Sequence, residues 1–210
     1  MVEEFALIIS RSRSTARPIC AMRTASPDWK KVSNGKVIVN IYPGGVVGDD
    51  PDIVRKMRSG TLHAGVLTTV GVAEIDKSVH ALGVPMMYGS YEEVYTVFEK
   101  MRPALEANIA KQGFVVLNWA DGGWVHFFSQ RPVATPDDLK KLKKEGETDV
   151  KVMKDRGLNV VPVDARALDA WVKLAESAYP RIRGQIVPAG AFDEALKYRD
   201  EYRKRAGTAK

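Results

Sequence analysis

The chain has one cysteine, Cys20, among its 210 residues, which rules out an internal disulfide and any metal centre built on cysteines. Its three histidines, His63, His80 and His126, stand in no HExxH spacing. GxGxxG, P-loop and GxSxG signatures are missing, and no acid, base and nucleophile are spaced to act together. No apolar run nears the roughly 18 residues that cross a bilayer. No internal repeat or low-complexity tract occurs. An export signal in the usual order is also missing: "MVEEFALIISRSRS" places two glutamates before a short apolar run and arginines after it. These absences argue against an enzyme, a disulfide-stapled scaffold and a membrane-spanning helix.

What is present is a globular balance, 45% hydrophobic and 28% charged, with a net charge of +6. The positive charge gathers at two places. Arg11, Arg13, Arg17, Arg23, Lys30 and Lys31 face Asp28 alone, and Lys197, Arg199, Arg203, Lys204, Arg205 and Lys210 crowd the last turns. Nucleic-acid binding through such ends would be steeply salt-dependent. No aromatic and basic platform accompanies them, so solvated faces are the expectation and no nucleic-acid partner is expected.

Periodicity predicts an α/β chain. "KVIVNIY" (36–42) alternates as a strand, and "PGG" breaks it. Asp50 suits a helix N-cap with Pro51 behind it; Ile53, Val54 and Met57 form an apolar side, and Gly60 ends the helix. "TLHAGVLTT" (61–69) reads as a second, buried strand with a half-buried His63, which makes a βαβ unit. Asp49, Asp50 and Asp52 could suggest a calcium loop, but the EF-hand pattern is absent and capping accounts for Asp50. Ser90 with Glu93 forms a capping box for a helix whose stripe is Tyr91, Val94, Tyr95 and Phe98, and Pro103 should kink or split it near Met101. "FVVLNWA" (114–120) reads as a strand, and Thr135 with Pro136 starts a helix. Beyond Lys144 come a short helix ending at Gly157 and a strand, "LNVVPVD". Asp164 then caps a helix facing Leu168, Trp171, Val172 and Ala175 inward. "YPRIRGQIVP" reads as extended, and a basic helix runs from about Phe192 to the end.

In an open α/β sheet, ligands sit beyond the carboxyl ends of strands. Those ends here carry Tyr42 with the Pro43–Gly44–Gly45 turn, Thr68 and Thr69, and the stretch from Trp119 to His126. Hydroxyls, backbone N–H groups, indoles and an imidazole make a cleft for a small polar molecule rather than a reaction centre. Trp119, Trp124, Phe127 and Phe128 read equally as core aromatics. Tyr42, Thr68, Thr69, Trp124 and His126 are the candidate ligand-binding residues. His126 would add positive charge near or below a pKa of about 6.5. No cofactor or metal is expected.

"WKKVSNGKVIVNIYPGGVVGDDPDIVRKMRSGTLHAGVLTT" resembles the opening lobe of the solute-binding proteins of TRAP transporters, the DctP type. "ALGVPMMYGSYEEVYTVF" is similar to the loop and helix that follow there. "GFVVLNWADGGWVHFFSQRPVATPDDLKKLK" resembles the first crossing between lobes, and "GLNVVPVDARALDAWVKLAESAYPRIRGQIVPAGAFDEAL" the family's tail. The resemblance implies a periplasmic-binding-protein-like lobe built from βαβ units. It also implies a periplasmic receptor for a small, dicarboxylate-like organic acid, with TRAP membrane subunits as partners. By the same comparison residues 1–28 are an atypical basic segment and 29–130 the first lobe. Residues 131–147 hold the crossover helix and a deletion junction near Lys144, and 148–210 a C-terminal α/β segment. The second lobe is then largely missing. The arginine that grips the solute carboxylate in the family has no counterpart, and a second one falls on Val125. A contrasting expectation is a non-binding relic that self-associates through surface the missing lobe would cover.

Overall fold

A computed structural model describes residues 28, 30–36, 39–42, 45–120, 132–138 and 163–207. The chain divides into two compact units, one drawn from Met1–Gly83 and Val97–Gly123, the other from Val84–Thr96 and Trp124–Lys210. The division falls inside one helix.

In the first unit, α1 spans Asp50–Arg58. Pro51 sits in its first turn, where a missing N–H costs nothing, and Gly60 turns the chain away with φ +72°. Asp49, not Asp50, is the N-cap residue, and its side chain makes no capping bond. Asp50 is already helical and its carboxylate is used elsewhere, so the capping expected of it is corrected. Among the described residues the strands expected at 36–42 and 61–69 are not seen: 39–42 and 61–68 run as irregular chain, and α2 (Thr69–Ala73) begins where the second strand should end. The physical reason lies at Thr68, whose hydroxyl oxygen accepts from the Val70 N–H and starts a helical turn. Residues 37, 38, 43 and 44 of this stretch lie outside the described residues. The βαβ unit is therefore not seen among the described residues, and "FVVLNWA" holds only an isolated bridge residue at Val116.

A 3-10 helix (Lys77–Gly83) follows α2, and α3 runs Tyr91–Lys111. The first unit's core gathers Val54, Met57, Leu67, Val72, Ala73, Ile75, Val79, Ile109 and Phe114. The buried row of α3 is Glu93, Val97, Met101, Leu105 and Ile109, one residue in every four. This corrects the expected stripe. Tyr91 and Tyr95 are exposed and stack on each other with ring centroids 5.8 Å apart, while Val94 and Phe98 are half-buried. The aromatic residues dominated the sequence pattern, whereas the inward row begins on a charged residue. The helix continues through Pro103 rather than splitting. Pro103 is exposed, so the carbonyl of Glu99 that loses its partner can turn to water.

In the second unit, α4 spans Ala165–Gln185 and α5 Ala189–Ala206. Asp164 caps α4 as expected, accepting from the Ala167 N–H at 2.7 Å. The inward face is shifted by one residue: Ala167 is buried, Leu168 is 49% exposed, and Trp171, Val172 and Ala175 are half-buried. "YPRIRGQIVP" is mostly helical instead of extended. The break comes at Arg183 (ψ 119°) and Gly184 (φ 85°), not at Pro180. A left-handed glycine accommodates that corner, where a residue with a Cβ would be strained. The basic C-terminal helix forms and ends on Gly207 in the left-handed conformation. Of the expected crossover helix, 136–138 form one turn. There Thr135 donates through its N–H and its hydroxyl to Asp138, so the capping carboxylate is Asp138. Residues 1–27, the junction near Lys144 and the expected helix and strand over 147–162 lie outside the described residues.

Candidate functional site

The polar geometry of the first unit centres on Thr68. Its backbone N–H donates to Asp50 Oδ2 at 3.1 Å, and its hydroxyl donates to the same oxygen. The hydroxyl oxygen in turn accepts from Val70, so Thr68 is used in both directions. Gly71 leaves room for this arrangement: a Cβ there would lie 2.7 Å from Asp50 Cβ. Asp50 thus pins the start of α2 onto the first turn of α1. Thr69 is half-buried beside it, and among the described residues its hydroxyl has no hydrogen-bond partner.

Of the other expected ligand residues, Tyr42 is 59% exposed on the irregular chain ahead of α1. Trp124 and His126 lie outside the described residues, as do Phe127, Phe128 and Val125. The structure therefore joins Thr68 and Thr69 at one corner. Trp119 is a packing residue: its ring meets Phe98 edge-on at 5.5 Å, and its indole donates to Glu106 Oε1 at 2.9 Å. Arg102 holds Glu106 below the usual carboxylate range, opposed by burial and helped by Trp119. His63 is exposed rather than half-buried. Burial and Lys77 lower the pKa of His80.

The second unit holds two features that sequence reasoning missed. One is a half-buried ion pair, Glu93–Arg203, extended by the Gly89 N–H donating to Glu93 and by Arg203 donating to the Met87 carbonyl at 3.2 Å. The other is an open cleft of about 410 Å³ lined by Thr96, Tyr202, Arg205 and Ala206. The basic run at the end of α5 was the one sequence signal for either. Among the described residues, no group of three carboxylate, imidazole or thiol side chains could hold a metal ion, and no helix is long and apolar enough to cross a membrane.

Comparison with known proteins gives these features a context. Residues 21–163 match the DctP family, bacterial extracellular solute-binding protein, family 7. A solute-binding protein of Chromohalobacter salexigens is 24% identical over 148 residues, covering 68% of this chain and 44% of that protein. The 2,3-diketo-L-gulonate-binding periplasmic protein YiaO of Escherichia coli is 24% identical over 136 residues, 62% of this chain and 42% of that protein. The chain thus spans less than half the length of either relative. No solved structure matches. The family match covers well over half of the chain, and the chain belongs to the DctP family of bacterial extracellular solute-binding proteins, whose members include TRAP-type receptors.

Proposed function

We propose that this chain is a solute receptor of a TRAP-type transporter, working outside the cytoplasm and binding a small organic acid without transforming it. The observation that carries this reading is the family match over residues 21–163. The name of the Escherichia coli relative adds a sugar-derived acid as the kind of solute to try first. Residues 29–130 would supply one periplasmic-binding-protein-like lobe, with Tyr42, Thr68, Thr69, Trp124 and His126 toward the solute. In a two-lobed receptor the ligand stabilises a closed state that membrane subunits read.

A second reading is favoured by one observation. Leu168, Leu174 and Ile186 are 49%, 46% and 53% exposed in the second unit, apolar side chains that self-association could cover. On this reading the fold persists and solute binding is lost.

A thermal melt with succinate, malate, 2-oxoglutarate and 2,3-diketo-L-gulonate separates the two. A ligand at a hundred times its dissociation constant adds about 2.7 kcal/mol, a rise of several degrees for a chain of this size. Such a rise with one acid supports the receptor. A cooperative melt that no acid moves, with mass in light scattering growing with concentration, supports the self-associating form.

A further inference from the structure

We propose that Asp50 makes the Thr68–Thr69 corner a seat for the uncharged, hydroxyl- or carbonyl-bearing end of the solute, and closes it to a second carboxylate. The inference rests on the receptor reading above. It starts from what surrounds Asp50. The carboxylate accepts two bonds from Thr68 and is held against the backbone of α2 by the absence of a side chain at Gly71. No cation pairs with it among the described residues: Arg55 bonds Asp52, and Lys56 donates to the Val47 carbonyl. Among the described residues Asp50 is therefore a carboxylate held at the corner by Thr68 and the two helix starts, with no paired cation.

Among the described residues, the Thr69 hydroxyl at this place has no hydrogen-bond partner. A solute group bonded to Thr69 lies within several ångströms of Asp50. For a neutral hydroxyl that proximity orients the donor, and a carbonyl, which can only accept from Thr69, meets a far weaker repulsion than a full charge would. For a carboxylate it sets two like charges together, a penalty of roughly tenfold in affinity in a half-solvated site. The solute's own carboxylate is then held elsewhere, and symmetric dicarboxylates are disfavoured. Asp50 selects the solute without touching it.

A matched pair of acids tests this. Succinate and 4-hydroxybutyrate have the same four-carbon chain and differ at one end, carboxylate against hydroxymethyl. Calorimetric titration of the whole chain should show 4-hydroxybutyrate binding the more tightly. Asp50→Asn keeps an acceptor oxygen for Thr68 and removes the charge, and should shift the affinity ratio toward succinate by about tenfold. Thr69→Val, which leaves the Asp50–Thr68 contact in place, should weaken 4-hydroxybutyrate and leave succinate nearly unchanged. A purely structural Asp50 would weaken both acids by one factor. An unchanged ratio in both variants, or a wild-type preference for succinate, overturns the inference and leaves the receptor reading standing. Binding of neither acid also overturns it, and silence across the wider panel removes the receptor reading as well.

Discussion

The two units are stabilised by different means. The first closes on a connected apolar cluster to which α1, α2, α3 and the chain around Phe114 all contribute. In the second, α4 is as long as α3, 21 residues, yet buries only Ala167, while the part of α3 in the first unit buries Val97, Met101, Leu105 and Ile109. Beside the buried side chains of Val84, Met87, Val187, Phe192 and Ala195, polar contacts tie the second unit together. Glu93 meets Arg203, Arg183 grips Asp193 with two bonds of 2.7 and 2.6 Å, Trp171 donates to the Ala134 carbonyl and Tyr179 to that of Pro85. The described residues of the first unit lie inside the family match, whereas α4 and α5 lie beyond its end at residue 163. A packed cluster loses much when one side chain shrinks. A helix fastened at points loses little along its length and much at the fastening.

The largest effect should therefore come from the first unit. Leu67 is fully buried in the cluster, and Leu67→Ala should cost about 3 kcal/mol through lost burial and the cavity left behind. The same truncation in α4, Leu174→Ala, removes a side chain 46% exposed and should cost under about 1 kcal/mol. Urea unfolding of the two variants gives the contrast directly, and equal losses would break it.

The fastening is the next test. Glu93 is 3% exposed, and the Arg203 side chain opposite it is 32% exposed, so water recovers part of whatever the pair loses. Glu93→Gln should cost about 2 kcal/mol, below the range for a fully buried pair broken on one side. Amide hydrogen exchange locates the loss: α5 should lose protection first, with the residues around Leu67 unaffected. Unchanged exchange along α5 would mean that Phe192 and Ala195, both buried on that helix, hold it without the ion pair.

Local signals were legible in the sequence where the deciding atoms are near in the chain. Pro51, Gly60 and Asp164 mark helix ends because each acts through its own backbone or a cap within three residues. The Ser90 half of the capping box also formed, with the Glu93 N–H donating to its hydroxyl at 3.2 Å, but Glu93 reached back to Gly89 rather than to Ser90. The misreadings share a distant partner. Glu93 looked like a cap because Arg203, 110 residues on, is invisible to periodicity. Asp50 looked like another because its partner, Thr68, lies 18 residues away. Of the candidate site, the adjacency of Thr68 and Thr69 was legible; that Asp50 occupies Thr68 was not. The strand pattern of "TLHAGVLTT" gave way to a helix start at Thr68, since alternation describes a strand only where a partner strand completes it.

The smallest of these effects is one of pH, and it too should separate the units. Tyr88 is buried in the second unit, and its hydroxyl is pushed well above its ordinary pKa of 10.0, first by burial, with Arg199 pulling the other way and Glu93 and Tyr179 adding to the rise. The folded state therefore keeps a proton that the unfolded chain gives up above about pH 10. Stability from this source is complete below that value and declines as pH rises, by up to about 1.4 kcal/mol for each unit. Tyr88→Phe cannot ionise in either state. It should lose stability less steeply between pH 10 and 11 than the unaltered chain. The first unit offers no equivalent among its described residues, Tyr42 being 59% exposed. Unfolding of α4 and α5 followed by hydrogen exchange should then steepen in alkali while the cluster around Leu67 does not. A common slope in both units would show that the polar fastening and the apolar cluster unfold as one, and the distinction between them would fall.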